Sequence, residues 1–221
     1  MKNETISKPP GALPPTEKEP GPLRLIATLG VTGFFSGLFL VGVYLYTLPL
    51  IESNQQQALE KAVYLVLPGS VRFEALVLDA GKLVAAPSSS KASKGIYAGY
   101  AEDGRRVGFA IPAQEPGYQD VIVGLIGYDP VRQLVIGFEV LESKETPGLG
   151  DKIIKDQRFR ESFLALATVP PPVAVKPGEK RAPNEVEAIT GATISSKAVL
   201  RMVAKALEEW SPPIADYQTD E

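Results

Sequence analysis

Two short segments of this chain combine residue types that could hold a ligand close to the backbone. The first, Glu145–Gly150, reads Glu-Thr-Pro-Gly-Leu-Gly and follows a predicted strand that ends near Leu141. Pro147 stiffens the backbone, while Gly148 and Gly150 keep it free of side chains, so that a ligand can approach closely. A Pro-Gly turn after a strand is often purely structural. This segment therefore predicts a binding loop only in combination with other signals.

The second segment, Glu187–Ser196, reads Glu-Ala-Ile-Thr-Gly-Ala-Thr-Ile-Ser-Ser and leads directly into a predicted helix. In one interpretation, Thr190 or Thr193 caps that helix by accepting a hydrogen bond from a free amide. In the other, the free amides and the positive end of the helix dipole bind a phosphate group. Gly191 and Ala192 leave room for a bulky group, and a threonine hydroxyl there could be esterified to the phosphate. The spacing alone does not choose between these interpretations.

The elements predicted around these segments form an α+β domain. Val121–Tyr128 and Gln133–Leu141 are rich in β-forming residues and are joined by a short Asp-Pro turn, which predicts a β-hairpin. Lys155–Ala167 predicts a helix, and a run of three prolines follows it. Apolar residues from Val199 to Trp210 recur at helical spacing, which predicts an amphipathic closing helix. Because there is no regular βαβ alternation, we expect a largely antiparallel sheet.

Upstream of that domain, the chain contains one segment that could cross a membrane. Residues 1–22 are rich in Pro, Gly, Lys and Glu, which predicts a disordered tail. Residues 23–51 are predicted to form a single transmembrane helix, because Leu25–Ile51 carries no charged side chain over about 27 residues. A buried helix and a cleaved signal peptide are the alternatives, but the apolar run exceeds that of a signal peptide and no small-residue cleavage site follows it. Residues 52–221 are predicted to form one globular domain.

The charges that flank the apolar segment predict its orientation. Four basic residues precede it, namely Lys2, Lys8, Lys18 and Arg24. Lys61 is the only basic residue in roughly the next twenty positions. The positive-inside rule then places the N-terminus in the cytoplasm and residues 52–221 on the extracytoplasmic side.

Composition excludes several kinds of chemistry. The chain has no Cys and no His, which excludes disulfides, thiolate metal sites, cysteine-ligated iron–sulfur clusters, histidine-ligated haem and a Ser-His-Asp triad. Any redox role therefore requires an organic cofactor, and no metal site is predicted. Nothing in the sequence offers an activated nucleophile beside a base. The net charge of −3 provides no basic surface, so nucleic-acid binding is not expected.

Taken together, the two segments resemble the FMN-binding domain of the G subunit of the Rnf electron-transport complex, which is similar to the C subunit of the Na⁺-translocating NADH:quinone reductase. The resemblance extends from the apolar segment over essentially everything that follows it. It includes Gly117-Tyr118, the predicted hairpin and the residues on both sides of Glu145–Gly150. In the family, the second segment reads Asp-x-x-Ser/Thr-Gly-Ala-Ser/Thr, and FMN is joined through its phosphate to the last hydroxyl.

Carried over to this chain, the resemblance implies a covalent phosphoester between FMN and Thr193. It also implies that the loop of the first segment packs on the isoalloxazine ring. The implied cofactor-binding residues are Glu145, Thr146, Pro147, Gly148, Leu149, Gly150, Thr190, Gly191, Ala192, Ile194 and Ser195. Two positions depart from the family pattern. Glu187 stands where the family usually has Asp and could slow flavin attachment, and Lys144 stands where many members have His and could change the potential of the flavin.

The resemblance implies an electron-carrying subunit of a membrane-bound, ion-translocating ferredoxin:NAD⁺ oxidoreductase. No catalytic residue of its own is expected, because the flavin supplies the chemistry. The expected partners are the other membrane subunits, membrane lipid and a separate transferase that attaches FMN from FAD. The expected location is the cytoplasmic (inner) membrane, with the flavin domain on the periplasmic side. Two alternatives stay open: an FMN subunit of another membrane electron-transfer system, and a flavin-free, membrane-tethered binding or assembly module in which Thr193 caps a helix.

Overall fold

The computed structural model describes residues 21–86 and 95–219. The tail predicted at residues 1–22 lies outside this range except for its last two residues. In the described residues the helices are α1 (Pro22–Val66), α2 (Lys152–Lys155), α3 (Gln157–Glu161) and α4 (Thr193–Thr219). The strands are β1 (Arg72–Asp79), β2 (Lys82–Ala85), β3 (Gly95–Tyr100), β4 (Arg106–Pro116), β5 (Val121–Asp129), β6 (Leu134–Glu142), β7 (Leu166–Ala167), β8 (Val173–Val175) and β9 (Glu185–Glu187).

The chain divides into two compact units, residues 1–53 and residues 54–221. The described part of the first unit is mainly the N-terminal portion of α1, whose large apolar side chains, such as Phe39 and Leu40, are exposed. By length and composition, α1 is the one helix among the described residues that could cross a membrane. It contains the whole predicted span at 23–51. The helix then continues without interruption to Val66, whereas the sequence indicated a separate helix from Glu52.

The second unit is built on a seven-stranded sheet with the order β2-β1-β3-β4-β5-β6-β7. Every neighbouring pair in this sheet is antiparallel. The predicted hairpin is confirmed, since β5 and β6 pair with Ile126 opposite Phe138. β8 and β9 form a separate parallel pair. The prediction of an α+β domain with a largely antiparallel sheet is therefore confirmed.

Helices cover both faces of this sheet. Side chains of successive strand residues point to opposite faces, and all six residues of β3 are buried. Ile96 and Ala98 belong to the core that includes α4, whereas Tyr97 belongs to a second core with Val63 and Val66 at the end of α1. The sheet is thus sandwiched between α4 and the last turns of α1.

The end of α1 approaches the sheet so closely that side chains are excluded there. A Cβ added to Gly127 would overlap the Val66 carbonyl oxygen, and a Cβ added to Gly137 would come within 2.6 Å of the Val66 Cα. These two glycines lie opposite each other in β5 and β6. Their lack of side chains lets the helix end rest directly on the hairpin.

The prediction of one continuous helix at Lys155–Ala167 is wrong. Instead, α2 ends at Lys155, α3 ends at Glu161, and the segment closes in strand β7. Asp156 separates the two short helices because its carboxylate accepts a hydrogen bond from the Phe159 amide and caps α3. Leu166 lies in strand β7 and not in a helix, because it pairs with Val135 and is buried.

The topology brings the two chemical segments to one end of the sheet. The turn 117–120 joins β4 to β5, and β6 returns antiparallel to β5, so that Glu142 lies opposite Val123 near that turn. The loop after Glu142 contains the first segment. The start of α4, which contains the second segment, lies against the same loop through a hydrogen bond between Ser195 and Glu145.

Candidate functional site

A cavity of about 310 Å³ opens where the two segments meet. This volume is within the range of about 300–1,000 Å³ that small-molecule sites usually occupy. We refer to it as the loop cavity. Its described lining residues are Tyr118, Glu145, Thr146, Leu149, Gly150, Gly191, Ala192, Thr193, Ile194 and Ser195.

The Glu145 carboxylate ties together the three elements that form the loop cavity. Glu145 is only 6% exposed. Its Oε1 accepts hydrogen bonds from the amides of Tyr118 at 2.8 Å and Gln119 at 3.1 Å. Its Oε2 accepts a hydrogen bond of 2.7 Å from the Ser195 hydroxyl. One side chain therefore joins the β4–β5 turn, the loop after β6 and the first turn of α4.

Two glycines make room for this carboxylate. A Cβ at Gly117 would overlap Glu145 Oε1, and a Cβ at Gly150 would overlap Glu145 Oε2. The Gly150 Cβ would also come within 3.0 Å of the Ser195 hydroxyl oxygen. In this structure Gly150 thus accommodates a buried carboxylate, and it also lines the loop cavity.

The hydrogen bonds keep Glu145 ionised in spite of its burial. Burial by itself raises the pKa of this carboxyl. The hydrogen bonds from the Ser195 hydroxyl and from the backbone amides of Gln119 and Tyr118 are the main causes that outweigh burial, so the pKa lies below its ordinary value. The carboxylate also lies at the first turn of α4, where the helix dipole favours negative charge. The loop cavity therefore carries a fixed negative charge at neutral pH.

The start of α4 has the features of a phosphate site. The helix begins at Thr193, so Ala192, which has no side-chain acceptor, occupies the capping position. Within the described residues, the amides of Thr193, Ile194 and Ser195 have no hydrogen-bond acceptor. Gly191, with a φ of 83°, adopts the left-handed conformation that glycine tolerates best. The turn therefore leaves three amides available at the edge of the loop cavity.

The Thr193 hydroxyl is exposed and has no hydrogen-bond partner among the described residues. A threonine that capped the helix would accept a bond from an amide one turn further along. The geometry therefore does not support the interpretation in which Thr193 serves as the helix cap.

Three exposed hydrophobic side chains surround the opening of the loop cavity. Tyr118 is 68% exposed, Leu149 is 51% exposed and Ile194 is 53% exposed. They come from the three elements that Glu145 joins. Exposed apolar groups around a cavity that also contains a few polar groups are typical of binding sites for small organic ligands.

The other predicted site residues lie near the loop cavity without all lining it. The Thr146 hydroxyl donates a 2.8 Å hydrogen bond to the side-chain oxygen of Gln119. Pro147 and Gly148 form the turn that precedes Leu149 and are outside the described lining. Thr190 lines a neighbouring cavity of about 450 Å³.

That neighbouring cavity is larger, but its described lining includes no residue of the first segment, Glu145–Gly150. Its described lining includes Lys152, Arg158 and Lys180, together with Glu187 and Thr190. It is connected to the second segment through Lys152, whose Nζ donates a 3.4 Å hydrogen bond to the Thr190 carbonyl. The loop cavity is lined by residues of both chemical segments, including Thr193, and we therefore take the loop cavity as the candidate site.

Glu187 and Lys144, the two residues that depart from the family pattern, form their polar contacts outside the loop cavity. The Glu187 carboxylate accepts a 2.9 Å hydrogen bond from the Gly178 amide. The Lys144 ammonium is paired with Asp120 at 3.4 Å and Glu142 at 3.6 Å. Neither departing residue belongs to the described lining of the loop cavity.

Tyr118 is the lining residue that the predicted site did not include. Its signal in the sequence was the Gly117-Tyr118 pair, which contributed to the resemblance but was not assigned a role. The turn becomes part of the site only because β4 and β5 bring it beside the loop after β6. No group of side chains that could hold a metal ion occurs among the described residues.

Comparisons with known proteins identify the family. Residues 117–208 match a family described as FMN-binding domain. The chain is 31% identical over 185 residues to the G subunit of the proton-translocating ferredoxin:NAD(+) oxidoreductase complex of Clostridium ljungdahlii, covering 82% of this chain and 87% of that protein. It is 33% identical over 182 residues to the G subunit of the ion-translocating oxidoreductase complex of Aliivibrio fischeri, covering 80% and 84%.

A solved structure has the same fold. The crystal structure of Shewanella oneidensis NqrC matches with a TM-score of 0.57 and 17% sequence identity, covering 74% of this chain and 99% of that chain. At this level of identity, the match extends to the fold alone. The matched family region contains the turn at Tyr118, the loop at Glu145 and the start of α4, so it contains every described residue that lines the loop cavity.

Proposed function

Because this chain belongs to the family of G subunits of ion-translocating Rnf oxidoreductase complexes, we propose that it carries electrons through an FMN linked covalently to Thr193. The observation that carries the proposal is the Thr193 hydroxyl, which is exposed, lines the loop cavity and has no partner in the described residues. A carrier of this kind needs no acid, base or nucleophile of its own, since the flavin supplies the redox chemistry.

The residues around Thr193 fit an FMN group. The free amides of Thr193, Ile194 and Ser195 at the positive end of α4 can neutralise part of the phosphate charge. The exposed side chains of Leu149 and Tyr118 can contact an isoalloxazine ring, together with that of Ile194. A phosphoester at Thr193 would hold the phosphate beside these amides.

Attachment requires a flavin donor, which we propose to be FAD, and a separate transferase. The Thr193 oxygen would attack the FMN phosphorus of FAD and lose its proton. The pyrophosphate bond would break at the same centre, and AMP would leave. The product would be a phosphoester that keeps FMN on the protein where free FMN is scarce.

The proposed membrane location and orientation follow from the family and from the apolar helix α1. We propose that α1 anchors the chain in the cytoplasmic membrane with its N-terminus in the cytoplasm, so that residues 54–221 lie on the extracytoplasmic side. The excess of basic residues before the apolar segment supports this orientation. The partners would be the other membrane subunits of an Rnf-type complex. Those subunits would carry the ion path, because Leu25–Ile51 holds no charged side chain.

Mass spectrometry of the peptide that contains Thr193 tests the proposal. The full chain is produced together with a flavin transferase, and the expected peptide mass increases by that of FMN less one water. Thr193→Ala should abolish the increase and also the flavin fluorescence of the denatured protein in a gel. Thr193→Ser retains a hydroxyl at this position and should retain some modification.

Thr168→Ala is the control. It removes a threonine hydroxyl that donates to the Gln133 carbonyl, outside both segments and outside the described lining of the loop cavity, so flavin attachment should persist. A wild-type peptide of unmodified mass, with a non-fluorescent denatured band, would favour the flavin-free assembly module. Fluorescence that survives denaturation in Thr193→Ala would place the attachment on another residue.

A further inference from the structure

Among residues 21–86 and 95–219, the Glu145 carboxylate has no cationic partner. Among the described residues, the hydrogen bonds to its carboxylate come from two backbone amides and the neutral Ser195 hydroxyl. Its chain neighbour Lys144 carries a cation, but that ammonium is paired with Asp120 and Glu142. Within the described part of the chain, the carboxylate is therefore a buried charge without a cationic partner in the lining of the loop cavity.

Such a charge acts on any group in the cavity that changes its own charge. Interactions between charges are stronger in a partly buried site than in bulk water because the effective dielectric constant is lower. A like charge a few ångströms away changes an ionisation equilibrium by a factor of about ten or more. Each electron that a flavin accepts without a proton adds one negative charge to the cavity.

We propose that Glu145 lowers the reduction potential of the FMN bound in the loop cavity, because its unpaired carboxylate opposes the negative charge that reduction adds. This inference rests on the proposed function and assigns the residue a second role besides joining the three elements. Glu145 is thus a positioning residue with an electrostatic effect on the cofactor.

Two variants separate the electrostatic role from the structural one. Glu145→Gln keeps an oxygen acceptor of similar size but removes the charge. Ser195→Ala removes one of the hydrogen bonds to the carboxylate, and titration at alkaline pH keeps the charge in place. A purely structural role predicts similar changes in both variants, whereas an electrostatic role predicts a rise in potential only in Glu145→Gln.

Spectroelectrochemical titration of the full, flavinylated chain in detergent measures the effect. In Glu145→Gln, the ratio of reduced to oxidised flavin at a fixed ambient potential should rise about tenfold. That change equals about 59 mV for a one-electron step or about 29.6 mV for a two-electron step. In Ser195→Ala, the potential should stay at or below that of the wild type.

Glu208→Gln is the matched control. It removes the same charge from an exposed position on α4 outside the loop cavity, so the potential should not change. Equal potentials in wild type and Glu145→Gln overturn the inference. A rise in Ser195→Ala at alkaline pH, where the carboxylate stays ionised, also overturns it.

The inference and the proposed function fail in different ways. Flavin fluorescence of the denatured wild-type protein is recorded before the titration. A non-fluorescent wild-type band contradicts covalent attachment and with it the proposed function. A fluorescent wild-type protein whose potential does not respond to loss of the Glu145 charge contradicts the electrostatic role alone.

Discussion

Replacing Gly150 by alanine should destabilise the domain by forcing the Glu145 carboxylate out of its place. The added Cβ would overlap Glu145 Oε2 and would come within 2.8 Å of the Glu145 Cβ. It would also crowd the Ser195 hydroxyl at 3.0 Å. Neither neighbour can move without breaking the hydrogen bond that ties the loop to the first turn of α4.

The size of the effect follows from these contacts. Overpacking a tight site typically costs about 1–3 kcal/mol, and loss of a hydrogen bond to a charged group costs about 1.5–3 kcal/mol. Because the two effects overlap, we expect a loss of about 3 kcal/mol in the free energy of unfolding. For a unit of this size, that corresponds to a fall in melting temperature of roughly 6–12 °C.

The fluorescence of Trp210 provides the assay. It is the single tryptophan of the chain and is largely buried in the core formed by α4 and the sheet. Thermal unfolding of the full chain in detergent can therefore be followed through the second unit without a tryptophan signal from the apolar segment.

Gly148→Ala is the control from the same loop. Gly148 has a φ of 78°, and an added Cβ would meet nothing within 4 Å. This variant introduces backbone strain of about 1 kcal/mol without touching the carboxylate. A melting temperature for Gly150→Ala that equals that of Gly148→Ala or the wild type would refute the view that the glycine exists to accommodate Glu145.

Two further predictions concern stability elsewhere in the domain. The pKa of the Glu115 carboxyl is lowered mainly by a hydrogen bond from Lys205 and also by Arg201, although burial by itself raises it. The stability that this carboxylate contributes is therefore fully present above its ordinary pKa of 4.5 and is lost as the pH falls through the lower folded value. Glu115→Gln should therefore be less stable than the wild type at neutral pH and should lose less stability below pH 4.5. Urea unfolding midpoints of both proteins, measured from neutral to acidic pH, check this. Midpoint curves that run parallel for the two proteins would contradict it. Gly127→Ala should lose about 3 kcal/mol, because its Cβ would overlap the Val66 carbonyl oxygen. A loss below about 1 kcal/mol by urea unfolding would show that the end of α1 can move away from the sheet.

Local patterns in the sequence were sufficient for several parts of this protein. An uncharged apolar run of this length predicts one helix that could cross a membrane, and α1 contains it. Alternating β-forming residues on either side of a short turn predict a hairpin, which β5 and β6 form. The small residues before a helical pattern predicted the start of α4, and the helix begins at Thr193.

Other elements depended on contacts that local patterns do not record. All six residues of β3 are buried, so the strand lacks the alternation that reveals a strand with one exposed face. The predicted helix at Lys155–Ala167 is broken by Asp156 and by pairing of Leu166 with Val135. In each case a partner distant in the sequence or a local cap decides the conformation.

By itself, the sequence determined the family, the absence of cysteine and histidine chemistry, and Thr193 as the proposed attachment point, because each depends on residue identity at fixed spacing. Only the tertiary structure decided the role of Glu145. Its three hydrogen-bonding partners are 26, 27 and 50 residues away, and the glycines that make room for it lie in two different loops. A carboxylate becomes a buried, unpaired charge only when folding brings those segments together and removes water from around it.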